Sequence, residues 1–385
     1  MKLKFVLLIA MACGPCGCAL SPPTVPPAAP PLLADALFNA PAEAIDIDAI
    51  FALSPQMRQY LDQQILPRAR RGNAQRALVD ALYAQGQLKL EYDAARTRTA
   101  AEAFEARSGN CLSLLIMTGA FAQALGLQVH YQSVLDEEAW GRSDELHFFI
   151  GHVNIRLGAR PSRARLSNPD DDWMVIDFLP GQDLERQRTR EIDRARVLAM
   201  FANNRAAEAL SLGDLDQAYA WAREAVRGDP AFLSAYNTLG VVYLRRGALP
   251  QAEAALRFVL AAEPDNPHAL DNLAALMQRT GRAAEAEALW AQLRRVQPQA
   301  PFAWFREGQQ AMREGDYRRA RRLFEREIAH APEYHEFHFW LALAHLRLGD
   351  IGPARQELEL ALAASTTREQ QGLYSAKLQR LKDHL

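Results

Sequence analysis

The sequence predicts an α+β domain in the N-terminal half of the chain, followed by an all-α repeat solenoid. Three observations lead to this fold class. Residues 35 to about 107 have helical apolar spacing, residues 127–179 alternate apolar and polar as strands do, and glycine recurs every 34 residues from Gly213 to Gly349. A chain of 385 residues also exceeds one ordinary core, so more than one domain is expected.

The charge of the chain excludes one class of partner. Lysine and arginine (44 residues) almost balance aspartate and glutamate (46 residues), and no basic block is present. A nucleic-acid-binding protein needs a basic patch or stripe. We therefore expect no nucleic acid as a partner, and no motif predicts a cofactor.

Residues 1–18, MKLKFVLLIAMACGPCGC, are typical of an export signal. Two lysines precede an apolar run that is too short to span a bilayer. The small residues before cysteine in MAC and CGCAL resemble the lipobox of bacterial lipoproteins, in which the cysteine is lipidated. The resemblance implies an anchor on Cys18, with Cys13 as the alternative, and Ala19 favours the periplasmic side of the outer membrane. A plain cleaved signal peptide is the competing interpretation.

Residues 19–34 contain SPPTVPPAAPP, whose prolines favour an extended polyproline II conformation. This stretch is predicted to be a spacer between the anchor and the folded body. If cleavage falls at Cys18, Cys111 is the one unmodified thiol of the mature chain, and an intramolecular disulfide is excluded.

The α+β domain is predicted over residues 35–190. Helical spacing is found in IFALSPQMRQYLDQQILPRA, RALVDALYAQGQL and TRTAAEAFEAR. The dense apolar stretch from Cys111 to Leu125 predicts a further helix, which Gly126 closes. Three strands are predicted in LQVHYQSV, HFFIGHVNIRL and WMVIDFL. Together they predict a central helix packed on a small antiparallel sheet.

Cys111 lies where a helix start can activate a thiol. The turn Ser108, Gly109 and Asn110 supplies capping groups, and this places Cys111 in the first helical turn. There the helix dipole favours the thiolate, and the unpaired backbone amides can hold an oxyanion.

His152 and Asp177 are the predicted partners of this cysteine. Asp177 is flanked by Ile176 and Phe178, a poor environment for a carboxylate without a partner. If the two strands pair beside the helix start, Asp177 can orient His152, and His152 can take the proton of Cys111.

A cysteine at a helix start, followed by histidine and aspartate on successive strands, resembles the transglutaminase-like, papain-related superfamily. The resemblance is carried by GNCLSLLIMTGAFAQALGL, GHVNIRL and WMVIDF. It implies that Cys111 is the nucleophile, His152 the general base and acid, and Asp177 the orienting carboxylate. The aromatic residue that often follows the histidine in that superfamily is replaced by Val153 and Asn154, which weakens any inference about the substrate.

Three alternatives to this triad stay open. His147, in SDELHFF, is a competing base. Cys111 can also be an inert thiol of the core. Finally, the triad can be intact in a protein that has lost activity and only binds.

The second half of the chain repeats every 34 residues. The period is carried by Gly213, Gly247, Gly281, Gly315 and Gly349, by Pro230, Pro264, Pro298 and Pro332, and by Ala218, Ala252, Ala286, Ala320 and Ala354. This pattern resembles tetratricopeptide repeats, and five repeats are predicted over residues 199–366, with a capping helix over 367–385. With LEYDAARTRTAAEAFEARSGNCLS, HVN and VIDF, the chain resembles bacterial transglutaminase-like proteins that carry such repeats.

A groove is the expected binding surface of the repeats. Its candidate residues are Arg245, Arg279, Arg313, Arg347, Phe302, Phe305 and Phe339. The arginines recur with the repeat period, which predicts a groove for an acidic or extended peptide with apolar anchors. The alternative is that these arginines form an ordinary solvated face.

Histidines are concentrated in the last two repeats, at His330, His335, His338 and His345. A metal site is one interpretation, but no cysteine or tight carboxylate set joins them. We therefore expect packing roles and no metal.

The functional expectation is an exported cysteine-dependent acyl-transfer enzyme, with amide hydrolysis favoured over crosslinking. The repeat array would recruit a protein or peptide partner or the substrate. The alternative is a catalytically silent, lipid-anchored scaffold that binds envelope proteins through its repeats.

Overall fold

The computed structural model describes residues 32–83, 91–93, 96–143, 146–159, 173–178, 188–297, 303–329, 332, 334–365 and 368–383. The predicted export signal, with Cys18 and Cys13, lies outside the described residues, as do Phe302 and His330. The side chain of His147 is also outside this description. No helix among the described residues is long and apolar enough to cross a membrane.

The N-terminal region begins with short helical segments that form a lead-in to the core. They comprise 3-10 turns at Asp35–Leu37 and Asp48–Phe51, helix α1 (Pro55–Tyr60), a π-helical turn (Leu61–Ile65), α2 (Leu66–Arg71) and α3 (Ala74–Tyr83). The side chain of Ser54 caps α1 by accepting a hydrogen bond from the amide of Met57. Ile65 and Leu78 are fully buried, so these segments cover the inner helix described next.

Two helices follow, α4 (Ala100–Ala106) and α5 (Cys111–Ala124). Thr99 and Glu102 form a reciprocal capping box at the start of α4. Strand β1 (Glu91–Tyr92) pairs in parallel with β2 (Ser108–Gly109), immediately before α5. Every residue of α5 from Cys111 to Ala122 is buried, so α5 is the central helix that the sequence predicts.

A four-stranded sheet packs on α5. Its strands are β3 (Gln128–Ser143), β4 (Leu146–Gly158), β5 (Met174–Ile176) and β6 (Thr189–Ile192), in the order β5-β4-β3-β6 with antiparallel pairing. The three predicted strands are present, and β6 is an addition that the sequence did not predict. The β3–β4 register shifts between Ser133, opposite Val153, and Glu138, opposite Gly151. The irregularity therefore lies opposite His152, and such bulges often re-aim a side chain beside a site.

The rest of the chain is a helical solenoid. Its helices are α6 (Arg194–Ser211), α7 (Leu215–Gly228), α8 (Leu233–Arg246), α9 (Leu249–Ala262), α10 (Pro267–Arg279), α11 (Ala283–Val296), α12 (Ala303–Glu314), α13 (Tyr317–Ile328), α14 (His335–Leu348), α15 (Ile351–Ala363) and α16 (Arg368–Asp383). Helices α6 to α15 pack as successive pairs, and α16 packs on α15. Gly247 ends α8 with φ of 82°, a left-handed conformation that favours glycine.

The two halves share one hydrophobic core. A contiguous set of buried side chains extends from Leu32 through α5 and the sheet to Ala286 in α11. Phe201 of α6 is buried within it. Phe305, Phe324 and other residues of α12 to α14 form a second buried cluster. The first repeat is therefore packed into the N-terminal region.

Residues 32–43, which we call the N-terminal strap, lie on α7 and α8. The hydroxyl of Tyr243 donates to the carbonyl of Leu32 at 2.7 Å and accepts from the amide of Ala34 at 3.0 Å. The hydroxyl of Tyr219 donates to Asp35 at 2.9 Å. The predicted spacer over 19–34 is therefore wrong at its end, because these contacts make residues 32–34 part of the folded body.

Aromatic stacking completes the contact of the N-terminal strap. The ring of Phe38 is parallel to that of Tyr219, with centroids 4.0 Å apart. The guanidinium of Arg246 lies over the ring of Phe38, 5.3 Å from its centroid, and donates to the carbonyl of Leu37. Asn39 contacts Asp216 through both its amide and its side chain. These contacts join residues about 200 positions apart in sequence.

Candidate active site

The start of α5 holds Cys111 in a tightly bonded turn. The side-chain oxygen of Asn110 accepts from the backbone amide of Ser113 at 2.9 Å and from its hydroxyl at 2.7 Å. A Cβ at Gly109 would lie 2.7 Å from the Cβ of Ser113, so only glycine fits there without a shift. Cys111 is 3% exposed, and the first-turn amides of Cys111 and Leu112 have no acceptor one turn earlier in the helix.

His152 and Asp177 are in direct contact. His152 Nε2 lies 2.7 Å from Asp177 Oδ2, and the two side chains are 1% and 4% exposed. The contact exists because β5 pairs with β4 over Ile155 to Leu157, which brings the residue after β5 beside His152. His152 Nδ1 is buried and has no hydrogen-bond partner among the described residues. The carboxylate thus orients the imidazole through Nε2, and Nδ1 is available to exchange a proton.

The electrostatics connect this imidazole to the thiol. Burial opposes a charge on His152, but the hydrogen bond of Asp177 and the interactions with Cys111 outweigh it and raise the pKa of His152 to about 10. The structure therefore brings the three predicted residues to one site. Chemically, an imidazole oriented by a carboxylate can take a proton from a neighbouring thiol.

Asp93 and residues 96–99 form a wall beside this site that sequence reasoning missed. Thr97 Oγ1 accepts from the side-chain amide of Asn110 at 2.9 Å, and the amide of Arg98 donates to Ser113 Oγ at 2.8 Å. The guanidinium of Arg98 pairs with Asp93 at 3.1 Å. In the sequence, this wall is marked only by the capping box of Thr99 and Glu102, which fixes where the wall ends and α4 begins.

Phe178, the residue after Asp177, is anchored in the hydrophobic core. Phe178 is buried, and its ring lies 6.0 Å from that of Tyr83. The hydroxyl of Tyr83 is hydrogen-bonded to Thr118 of α5 at 2.8 Å. Because Phe178 directly follows Asp177, this packing ties the carboxylate to the central helix.

The predicted groove residues are only partly available. Arg245, Arg279, Arg313 and Arg347 are exposed. Phe305, however, is fully buried against Phe324 and Phe337, so its prediction as a groove anchor is wrong. Phe339 packs on Tyr374 of α16 at 5.1 Å, so the last helix covers part of it.

The histidines of the last repeat have structural partners. His335 contacts the hydroxyl of Tyr374 at 2.8 Å, and His345 contacts Asp350 at 3.3 Å. His338 contacts Glu357 and the carbonyl of residue 332, each at 2.7 Å. Within the described part of the chain, no group of three or more such side chains is arranged to hold a metal ion.

Comparison with protein families identifies the solenoid. Residues 203–267 and 305–369 match one family model described as tetratricopeptide repeat, and residues 267–292 match another. The predicted tetratricopeptide repeats are thereby confirmed, and repeats of this kind suggest a role in protein–protein interaction. The matches lie in the C-terminal region, so the resemblance of the N-terminal region to transglutaminase-like enzymes stays a prediction.

Three of the solved structures that the chain resembles each cover less than half of it. PilF from Pseudomonas aeruginosa is 19% identical over 48% of this chain and 91% of its own, with a TM-score of 0.28. Yeast Tom70 is 16% identical over 48% of this chain and 40% of its own (TM-score 0.33). YrrB, described as having an unusual peptide-binding site, is 19% identical over 47% and 92% (TM-score 0.25). A comparison with curated proteins gave no match.

Proposed function

We propose that this protein is a cysteine-dependent acyl-transfer enzyme that cleaves an amide bond. The observation that carries the proposal is the position of His152. One ring nitrogen is 2.7 Å from Asp177, the other is unpartnered among the described residues, and Cys111 contributes to the raised pKa of the ring. A cysteine beside a histidine that a carboxylate orients is the arrangement of a nucleophile with its general base.

The reaction would proceed in two steps. The thiolate of Cys111 attacks the amide carbonyl, and the amides at the start of α5 stabilise the oxyanion. The C–N bond then breaks as His152 gives its proton to the leaving amine, which leaves a thioester on Cys111. Water, deprotonated by His152, attacks the thioester and releases a carboxylic acid and the free thiol. An amine in place of water would give crosslinking instead.

The tetratricopeptide array would recruit a protein partner or present the substrate. The shared core supports this role, because it fixes the first repeat against the N-terminal region. We also propose export and anchoring through Cys18 in the cell envelope, on the strength of the signal-like sequence alone.

The test uses the reactivity of the thiol across pH. Full-length protein is treated with iodoacetamide between pH 5 and 9, and labelling of Cys111 is followed by mass spectrometry beside Cys111→Ala. An activated thiol labels rapidly below about pH 7, whereas an ordinary one labels with a midpoint near about 8.5. An ordinary profile would contradict the proposal.

The second test of the proposed function measures turnover of a peptide substrate. The peptide is chosen from a screen of peptides that carry cysteine-directed electrophiles. Asp177→Asn is expected to lower turnover by up to about 10⁴-fold, because the carboxylate sets the orientation of the imidazole. Asp80→Asn, at an exposed position of α3, is the matched control and should retain activity. Near-normal turnover of the folded Asp177→Asn protein would show that Asp177 is not the orienting carboxylate.

A scaffold without catalysis is the second candidate. It is favoured by the near-complete burial of Cys111, His152 and Asp177, since a nucleophile must be reached by its substrate. In that case the repeats bind partners and the buried triad is structural. Binding of partners that is unchanged in Cys111→Ala, together with an ordinary labelling profile, would favour this candidate.

A further inference from the structure

The first tetratricopeptide repeat contacts the wall of the proposed active site through the carboxylate of Glu208. Glu208 lies on α6, and its Oε1 accepts from the backbone amide of Thr97 at 2.7 Å. The second carboxylate oxygen accepts from Arg205 at 3.0 Å. Thr97 is 111 residues away in sequence and is almost completely buried. Glu208 therefore acts across the boundary between the two halves of the molecule.

Thr97 passes this contact on to the cap of α5. Its Oγ1 accepts from Asn110 Nδ2 at 2.9 Å, and Asn110 Oδ1 caps the amide of Ser113 at 2.9 Å. Asn110 directly precedes Cys111. The chain of contacts thus runs from Glu208 through Thr97 and Asn110 to the first turn that holds the thiol.

The environment of Glu208 fits a fixed structural role. Burial raises the pKa of its carboxyl, while hydrogen bonds from Thr97 and the nearby charges of Arg205 and Arg96 act in the opposite direction. A partly buried carboxylate gains from fixed donors, because charge-assisted hydrogen bonds are about twice as strong as neutral ones. The side chain is therefore held in place instead of being free in solvent.

We propose that Glu208 and Thr97 are positioning residues for Cys111, so that the first repeat is part of the active site's support. This inference rests on the proposed function. Through Asn110 they keep the first-turn amides of α5 aligned on the sulfur. Neither residue reacts, and their effect is on how well the helix start stabilises the thiolate.

The test combines two disrupting variants with two conservative ones in the full chain. Thr97→Val keeps the size of the side chain but removes the acceptor for Asn110, and Glu208→Ala removes the acceptor for Thr97. Thr97→Ser and Glu208→Gln keep an oxygen at each position. Glu253→Ala is the control, since Glu253 pairs with Arg257 and Arg282 on the array surface, away from the site.

Two measurements are made on each variant. The first is the rate of iodoacetamide labelling of Cys111 at pH 6, which we expect to fall about two- to fivefold in Thr97→Val and Glu208→Ala. The second is amide hydrogen exchange in the peptide covering residues 108–114, which we expect to be faster in the same two variants. Thr97→Ser, Glu208→Gln and Glu253→Ala should retain the wild-type values.

The outcomes separate this inference from the proposed function. Wild-type labelling and exchange in a folded Thr97→Val protein would overturn the inference, as would equal losses in Glu253→Ala. If the wild-type thiol labels only as an ordinary cysteine, the proposed function fails. Hydrogen exchange in residues 108–114 then decides alone whether the first repeat holds the start of α5.

Discussion

At the scale of single residues, the protonation of His152 depends on its neighbours in the site. It is buried, yet Asp177 and Cys111 favour its charged form strongly enough to raise its pKa. A buried imidazolium is costly unless its charge is compensated. The compensation here comes from the hydrogen bond to Asp177 and from the interactions with Cys111.

The protonation of His152 can be measured directly. Because the pKa is raised, the ring should keep its proton through neutral pH and lose it near pH 10, whereas an ordinary histidine loses it near about 6.5. Asp177→Asn and Cys111→Ser should each lower the midpoint, since both groups favour the charged ring. The readout is the ¹³Cε1 shift of histidine-labelled protein, with the His152 signal identified by its loss in His152→Gln. A wild-type midpoint at or below about 6.5 would contradict the electrostatic description.

Two residues of the proposed triad, Cys111 and Asp177, have a local signal in the sequence. A polar turn before an apolar helix marks Cys111, and an isolated acid between apolar strand residues marks Asp177. Thr97 and Glu208 have no such signal, because their roles depend on a contact across 111 positions. Phe305 was placed in the groove by its repeat position, but neighbouring aromatic rings bury it in the core between helices.

At the scale of elements, the helices of the array depend on close approach at small residues. A Cβ at Gly308 of α12 would lie 2.5 Å from the ring of Phe324 in α13. Contacts this short force a shift of the ring or the backbone. The pairing of the fourth repeat therefore requires glycine at this position.

Matched glycine substitutions test this packing. Gly308→Ala should lower the free energy of unfolding by about 1–3 kcal/mol, because the added methyl overpacks the helix pair. Gly372→Ala, in α16 with nothing within 4 Å of its Cβ, should instead raise it by about 0.5–1 kcal/mol through helix propensity. Thermal and urea unfolding of the full chain give both values. Equal effects of the two changes would show that the close approach is not required.

Elements were predictable where periodicity is long and strong. The helices of the array follow from a repeated pattern, and α5 follows from its apolar density. Strand β6 has only four residues, and just one of them, Ile192, is buried, so it leaves no alternating pattern to detect. The shifted register opposite His152 has no sequence signature either, because it depends on how two strands meet.

The whole molecule is organised around a core that crosses the predicted domain boundary. Val197 and Phe201 of α6 are buried among residues of the N-terminal region, so the array and that region are not independent bodies. The predicted boundaries at 190 and 199 mark a change in pattern along the sequence. Pattern alone could not reveal that the two sides pack together, since that is a property of tertiary contacts.

Truncation tests this organisation. A chain that ends at residue 297 keeps α6 to α11 and the shared core, and we expect it to fold and to label Cys111 as the full chain does. A chain that ends at residue 193 loses Val197 and Phe201 and exposes the apolar surface that they cover, so it should be largely unfolded or aggregated. Circular dichroism and labelling of Cys111 distinguish the two. Native labelling in the shorter fragment would refute the shared core.

The N-terminal strap has a mechanical consequence. Tension applied to the polypeptide ahead of residue 32 reaches Tyr243 and the stacked ring of Phe38 before it reaches any part of α5 or the sheet. The load is passed sideways into α7 and α8, which are braced by their neighbours along the solenoid. The contacts of the N-terminal strap with α7 and α8 therefore protect the geometry around the Cys111 sulfur when the chain is pulled ahead of residue 32.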